Sequence, residues 1–446
     1  MWKKKKEFSK QLVQIAVPVT LQSILQASFS VIDQIMTGQL GSVSIAGIGL
    51  GGKFASIYSV VIAAVAAVAG IMIAQYMGKR DERAVGRSIC TNLLLSLLVV
   101  AVFTGLGTGC SESLMGLYTE DAATIAASAG YLRIYALSFL PVAVTSILSA
   151  YLRCAGEAGA PLYASLCAVA LNTGLNYVLI FGKWGFPRLG TAGAAWASVI
   201  SQATGCAITL LLFVVLYRRR GWHIPLVFSV EKSQALQYAG ILAPILVSEF
   251  FWSLGENVYA AVYGHIGTAA LAAMTLTGCI QGLVMGALSG VSQAAGIMVG
   301  KRLGANQQKE AYEDAKRLML TGLAASLLLS IIVVAVSGFY VKIFQVEETV
   351  RVLARQILLV YALVAPVKVQ NMIIGGGVLR SGGETKYVMA IDLIGTWVFG
   401  VPLGLLAAFV WRLPVAPVYF ILSLEECVRL FISLEVFRRR EWMKRL

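Results

Sequence analysis

Apolar stretches long enough to cross a lipid bilayer follow one another along nearly the whole chain, and this feature decides most of what it can fold into. A spanning helix needs about 20 mostly apolar residues. The runs between charged or Gly/Pro-rich breaks number twelve, over 11–38, 45–77, 87–110, 124–152, 161–182, 190–217, 234–263, 269–300, 315–341, 351–379, 386–410 and 415–438. Only 13% of the 446 residues are charged and the mean hydropathy is +0.79. A soluble chain is about a quarter charged, because it needs a polar skin. A soluble multidomain enzyme is thereby excluded, and so is a disordered chain. A porin-type barrel would show alternating segments of about ten residues instead. The expected fold class is an all-α polytopic membrane protein.

The net charge of +14 does not point to nucleic acid, because the lysines and arginines sit in short segments between the apolar runs. One side holds the amino-terminal group with Lys10, then Lys79/Arg80/Arg83/Arg87, Arg153, Arg218–Arg220 with Lys232, Lys301/Arg302/Lys309/Lys316/Arg317, Arg380/Lys386 and the Arg438–Arg445 tail, 26 in all. The other side holds six: Lys183, Arg188, Lys342, Arg351, Arg355 and Arg412. By the positive-inside rule both termini lie in the cytoplasm, with the protein in the cytoplasmic (inner) membrane. Lys3–Lys6 ahead of an apolar run resembles a signal peptide. The run over 11–38 is too long for one and lacks a small-residue cleavage site, so it reads as a membrane helix. The seven cysteines are scattered, without CxxC and without a neighbouring histidine, and read as small apolar helix residues. His223 and His265 near loop ends make no metal site.

The chain repeats itself. Pro18 matches Pro244, Gly38 matches Gly264, Gly41 matches Gly267, Gly70-Ile-Met matches Gly296-Ile-Met and Gly78 matches Gly304, each at an offset of 226. Farther on, Leu152-Arg153, Gly156 and Glu157 match Leu379-Arg380, Gly383 and Glu384 at 227. Six spans fit in one repeat, an even number, so the halves share an orientation. They are expected as parallel repeats about an axis along the membrane normal, with a site between them near the midplane. The predicted organisation is a six-helix lobe over 1–217, a basic cytoplasmic linker over 218–233 and a second six-helix lobe over 234–446.

On this repeat lie Pro18 followed by Val31-Ile-Asp-Gln-Ile-Met-Thr-Gly-Gln-Leu-Gly41, Gln75-Tyr-Met-Gly78, Leu152-Arg-Cys-Ala-Gly156, Asn172-Thr-Gly-Leu-Asn-Tyr-Val-Leu-Ile-Phe-Gly182, Gly193-Ala-Ala-Trp-Ala-Ser-Val-Ile-Ser-Gln202 and Leu379-Arg-Ser-Gly-Gly-Glu-Thr385. In this order, over essentially the whole length, the chain resembles the multidrug and toxic compound extrusion (MATE) family. The resemblance implies cation-coupled export of amphipathic, often cationic organic compounds, by rocking of two lobes around a central cavity.

Ionisable groups within spans are costly and are therefore functional candidates. Asp33 lies five residues before Gly38, roughly 7–8 Å of helix. It reads either as a wetted helix-end carboxylate or as a proton or sodium site. The family's first span carries an aspartate about four turns beyond a kinking proline, which Pro18 and Asp33 match. Removal from water favours the neutral form of a carboxylate, as proton exchange requires, and Pro18 gives the span a place to bend. Asn172 and Asn176, four apart in span 5, share a face. The family often has a second carboxylate where this chain has Asn176, and a single carboxylate suits a proton better than sodium. Lys53, at a similar depth in span 2, is a built-in counter-ion or a lysine snorkelling to the surface.

Glu249, Trp252 and Glu256 share one face of span 7. Glu249 would accept a cationic substrate, pair with Lys368 as a strut between spans 7 and 10, or take part in proton coupling. Gln281 and Asn257 would add hydrogen bonds to a substrate, while Glu425 and Arg429, four apart, read as a structural pair. Asp392 is expected against Arg380 or Arg429. Met36, Met274, Met285, Met298 and Met372, with Phe29, Tyr58, Tyr135, Tyr259 and Tyr361, would furnish an adaptable apolar cavity or simply face lipid and neighbouring helices. No P-loop, GxSxG or HExxH pattern sits where its chemistry needs it, and no cofactor is expected beyond H+ or Na+ as coupling ion.

A lipid-linked oligosaccharide flippase of the same wider superfamily is the nearest alternative. It would prefer cationic residues in its cavity, whereas here Asp33, Glu249 and Glu256 face only Lys53, Lys368 and Arg133. A membrane-embedded lipid-modifying enzyme needs a clustered acid–base or metal constellation, and no pair of spans offers one. The expected partners are a small amphipathic substrate and the bilayer, with no nucleic acid, and the chain is expected to act as a monomer.

Overall fold

The computed structural model describes residues 2–225, 232–344 and 346–446, with side chains placed for all of these except 2–5, 29–31, 42 and 232–234. Residues 226–231 of the expected linker, and the side chain of Phe29, thus lie outside the described residues. The described chain is helical throughout its ordered elements. The first half consists of α1 (Trp2–Thr37), α2 (Ser42–Lys79), α3 (Glu82–Gly109), a short α4 (Ser111–Gly116), α5 (Ala122–Tyr135), α6 (Phe139–Cys154), α7 (Gly159–Phe181) and α8 (Thr191–Arg220). The second half consists of α9 (Lys232–Ile266), α10 (Thr268–Gly304), α11 (Gln308–Lys342), α12 (Glu348–Asn371), α13 (Thr385–Leu393), α14 (Val401–Leu405) and α15 (Val415–Arg439).

Among the described residues, eleven helices are long and apolar enough to cross a membrane. They coincide with the first eleven runs read from the sequence. The fourth span is α5 and α6 joined by one turn of 3₁₀ helix at Ala136–Ser138. The expected twelfth span, α15, is a helix of 25 residues, but it fails on composition because Glu425, Glu426, Arg429 and Glu435 interrupt it. The first three are buried or nearly so and satisfy one another, as described below. Large apolar side chains point outward along the long helices: Leu98 is 63% exposed, Leu211 62% and Ile331 67%. This is the pattern of a protein whose outer solvent is hydrocarbon. The protein is an all-α polytopic membrane protein.

None of the seven cysteines forms a disulfide among the described residues. The repeat is visible in the backbone. Gly41 and Gly267 both take positive φ in the turn after a proline-bearing helix, and Gly156 and Gly383 do so in the turn after the Leu-Arg pair. A side chain there would be strained in the left-handed region. Packing divides the chain into two compact units, Met1–Thr20 with Ala74–Arg80 and Leu236–Leu446, and Leu21–Ile73 with Asp81–Ala235. The chain passes from one to the other inside α1, two residues after Pro18, and again inside α2.

In the second of these units, Tyr58 stacks on Phe139 at 4.0 Å between ring centroids and donates to the Phe139 carbonyl. Met115 of α4 is fully buried in the same cluster. In the other unit, the carboxy-terminal ends of α2 and α10 cross backbone to backbone. A Cβ at Gly78 would lie 2.1 Å from the Lys301 carbonyl oxygen, and one at Gly304 would lie 1.9 Å from that of Gln75. The glycines are repeat mates, and so are the carbonyls they meet. Gln75 is fully buried, donating to the carbonyls of Ser381 at 2.7 Å and Lys444 at 3.2 Å. Gly304→Val forces the two backbones apart, an overpacking that costs about 2 kcal/mol or more. It should lower the unfolding temperature of the detergent-purified protein, whereas Gly105→Val, in open space, should not.

The second half differs from the first in three π-helical stretches, Met372–Leu379, Ile394–Gly400 and Leu406–Val410. Such segments are rare and concentrate at functional sites. The first follows Pro366 and contains Gly375, Gly376 and Gly377. Ser292 donates to the Met372 carbonyl at 2.7 Å, satisfying an acceptor at the start of the distortion.

Candidate transport site

Within the unit built from Leu21–Ile73 and Asp81–Ala235, α1, α7 and α8 bring a chain of polar groups together. Helical spacing puts Asn172 and Asn176 on one face of α7 and Ser198 and Ser201 on one face of α8. Asn176 Nδ2 donates to Asp33 Oδ1, and also to Asn172 Oδ1 at 3.2 Å. Asn172 Nδ2 in turn donates to Ser201 Oγ at 3.3 Å, with Ser198 Oγ at 3.5 Å. Three of the predicted residues, Asp33, Asn172 and Asn176, are thus assembled. The serines were not singled out as site residues, though their three-residue spacing in span 6 carries the same signal as the asparagines. Tyr131 and Tyr135 of α5 stack at 5.4 Å between ring centroids. The other amide atom of Asn176, Oδ1, is buried and has no partner among the described residues.

Lys53 is not part of this group. Its side chain is exposed on α2 and forms no ion pair with Asp33 among the described residues. Its exposure matches the snorkelling reading rather than that of a counter-ion.

The second-half candidates fall into two places. Glu249 does not meet Lys368. Its Oε1 lies 3.5 Å from Arg380 Nη2, so the expected strut has a different partner. The reason is depth: Lys368 is twelve residues before Arg380, roughly 18 Å of helix. It lies near the level of Glu256, two turns beyond Glu249 on α9. Glu249 is absent from the cavity described next, and so is Trp252, whose side chain is 49% exposed. Asp392 accepts from Ser248 Oγ rather than pairing directly with Arg380.

The cavity, of about 250 Å³, is lined by Glu256, Gln281, Lys368, Tyr419, Glu425 and Glu426 among others, with Tyr259, Tyr263, Met274 and Leu271 as its apolar and aromatic part. The Lys368 ammonium stands 5.8 Å from the centre of the Tyr419 ring. Gln281 accepts from Tyr419 Oη at 3.0 Å and donates to Thr277 Oγ1 at 3.2 Å. Arg429 lies 3.4 Å from Glu425 and 4.0 Å from Glu426, and it also donates to Thr396. The expected Glu425–Arg429 pair is therefore present, within a wider network. Tyr259 donates to Glu425, and Asn371 donates to Glu426 Oε2 at 2.8 Å. Gly395 and Gly400 of the second π stretch make room for it. A Cβ at Gly395 would sit 2.4 Å from Arg429 Cγ, and one at Gly400 would sit 2.1 Å from Glu425 Oε2. Glu256 is the cavity acid with no lysine or arginine at ion-pair distance among the described residues. Tyr419, Ser423 and Glu426 were not singled out, although their spacing on span 12 puts them on one face.

A bundle of apolar helices enclosing ionisable groups, with an internal cavity and a sequence repeat at an offset of 226, fits the architecture of a secondary membrane transporter. A family model, MatE, matches twice, over residues 18–178 and 244–406. The two matches begin at the repeat prolines. The chain belongs to the MatE family, whose members are transporters and not enzymes. It is similar to a probable multidrug resistance protein NorM of Thermotoga maritima, at 24% identity over 98% of this chain and 94% of the relative. In fold it is similar to a MATE structure in the straight conformation, with TM-score 0.87 and 17% identity over 97% of this chain and 96% of the other. A MATE structure in the bent conformation gives TM-score 0.86 and 18% identity, over 97% and 95%.

Proposed function

We propose that the protein is a proton-coupled antiporter that exports amphipathic, often cationic organic compounds across the cytoplasmic membrane, with both termini in the cytoplasm and the chain acting as a monomer. The observation that carries this reading is the single carboxylate of Asp33, held by Asn176 and free of any ion-pair partner among the described residues. A protonated Asp33 needs an acceptor for its new O–H, and the unpartnered Oδ1 of Asn176 lies on the same amide. The four side-chain oxygens of Asp33, Asn172 and Asn176 are few for a hard metal cation, which takes six or more. Proton uptake from outside weakens the hold of Asn176 on α1 and lets α1 rebend at Pro18. Cargo is released outside, and loss of the proton to the cytoplasm restores the loaded form. The proposed moving parts are the repeat halves 1–217 and 234–446, with 1–20 and 74–80, which pack with 236–446, going with the second. Relatives named as multidrug resistance proteins support the cargo class.

Glu256 is the cargo-facing acid of the second half, because a carboxylate without an ion-pair partner inside a span is stabilised by an incoming positive charge. Gln281 and the tyrosines of the cavity supply hydrogen bonds and aromatic faces, while Lys368 keeps the site from becoming a general cation trap. Glu256→Gln should lower affinity for a cationic dye about tenfold, roughly 1.4 kcal/mol, and leave a neutral substrate nearly unchanged. Equal losses for both would remove the charge recognition assigned to Glu256.

The deciding experiment is transport in proteoliposomes with proton and sodium gradients imposed independently and a cationic dye as cargo. A proton gradient alone should drive accumulation. Accumulation driven by sodium alone, with the proton gradient collapsed, would overturn the proton reading.

A further inference from the structure

Both halves place an arginine from the repeated Leu-Arg turn against the proline-bearing helix, about one turn past the proline. Arg153 Nη2 donates to Gln22 Oε1 at 3.2 Å, four residues after Pro18. Arg380 Nη2 lies 3.5 Å from Glu249 Oε1, five residues after Pro244. Each arginine leaves its Nε buried and without a partner among the described residues, so the contact is made from the end of the guanidinium alone. The two differ in kind. The repeat mate of Glu249 is Ser23 and that of Gln22 is Ser248, so the first half has a neutral acceptor where the second has a carboxylate.

Around Pro18 the packing changes owner. Thr20 Oγ1 donates to the Ala287 carbonyl at 2.8 Å, and the Ala16 carbonyl lies where a Cβ on Gly290 would sit, 2.1 Å away. From Leu21 onward α1 packs with the other unit, and Gln22 is tied to Arg153 there. Pro18 has no N–H, so the Gln14 carbonyl lacks its helical partner and the ladder is weakest at this point. A bend at Pro18 pivots the turn that Arg153 grips.

We infer that Arg153 and Arg380 are positioning residues that latch α1 and α9 one turn past their prolines. The neutral latch on α1 makes it the helix that bends in the transport cycle, while the ion pair on α9 keeps that helix fixed. Both contacts have a charged donor, but the Arg380–Glu249 pair adds a charge–charge attraction that the Arg153–Gln22 hydrogen bond lacks. The same arginine therefore makes a releasable contact in one half and a lasting one in the other. This inference rests on the proposed transport cycle for its purpose, but its physical content is the local stability of two helices.

The test is hydrogen–deuterium exchange by mass spectrometry on the full chain in lipid nanodiscs, following peptides over 15–26 and 241–252, together with dye efflux. Arg153→Gln should raise exchange over 15–26 several-fold and leave 241–252 unchanged. Arg380→Gln should do the reverse, and Arg153→Lys should recover part of the protection. Gln22→Glu, which turns the first latch into an ion pair, should slow exchange over 15–26 and slow efflux several-fold with dye affinity unchanged. Should Arg153→Gln fail to fold, Gln22→Glu and Gln22→Met carry the test alone, with slower and faster exchange expected respectively. Exchange over 15–26 that is the same in wild type, Gln22→Glu and Gln22→Met would overturn the latch. A failure of proton coupling would show instead as sodium-driven transport, with these exchange differences intact.

Discussion

Asp33→Asn should insert and fold like the wild type yet lose gradient-driven efflux. The substitution is isosteric, and the amide oxygen it introduces still accepts from Asn176 Nδ2, so the polar chain through Asn172 to Ser198 and Ser201 is kept. What disappears is the ability to gain and lose a proton. One pH unit across the membrane supplies about 1.4 kcal/mol per proton, enough for roughly tenfold accumulation of a neutral cargo at one-to-one exchange. The variant should equilibrate cargo and accumulate none. Proton and cargo exclude one another in the proposed cycle, so each lowers the affinity for the other by the same factor. Wild-type affinity should therefore fall as pH falls, and that dependence should be flat in Asp33→Asn. A variant that still concentrates dye with wild-type pH dependence would remove Asp33 from coupling.

Arg429→Met should be among the most damaging single changes in the second half. The arginine is 9% exposed and faces two glutamates that are hardly more exposed. Removing one member of a buried ionic cluster strands the others, at a cost of about 3–5 kcal/mol. Here two acids would be left beside a cavity that already holds Glu256. Purified Arg429→Met should unfold at much lower temperature or fail to accumulate in the membrane. Adding Glu425→Gln should restore much of the loss, because Tyr259 can still donate to the amide oxygen and Glu426 keeps its bond from Asn371. If the single change is tolerated as well as the double, the cluster does not hold the second half together.

Most of the fold was legible, because a bilayer imposes one length on every crossing element and apolar runs record it directly. The exceptions have physical causes. Span 12 hides its charges by neutralising Glu425 and Glu426 with Arg429, a pairing that a hydropathy reading cannot credit in full. The π stretches break the 3.6-residue period on which facing arguments depend, so Gly395 and Gly400 gave no sign that they cradle side chains of α15. In the site, Asp33 and Asn176 lie on different helices but stand out as polar groups in apolar runs. Ser198 and Ser201 have the same helical spacing, but serine is too common in such runs to stand out alone. The partner of Glu249 was misjudged because sequence fixes spacing along a helix, not the relative depth of two helices. Arg380, outside the predicted span, reaches back to Glu249 while Lys368 lies about three turns away.

The crossing of α2 and α10 has a mechanical consequence. With Gly78 against the Lys301 carbonyl and Gly304 against that of Gln75, main chain meets main chain directly at these two points. The contact lies at one extreme end of α2, a helix of 38 residues and so about 57 Å long. A tilt of about 10° at that end sweeps the opposite end through roughly 10 Å, by the arc of a rod of that length. Over a helix of that length, a sub-ångström adjustment beside the two glycines is magnified about as much as a long rod magnifies a turn at its tip.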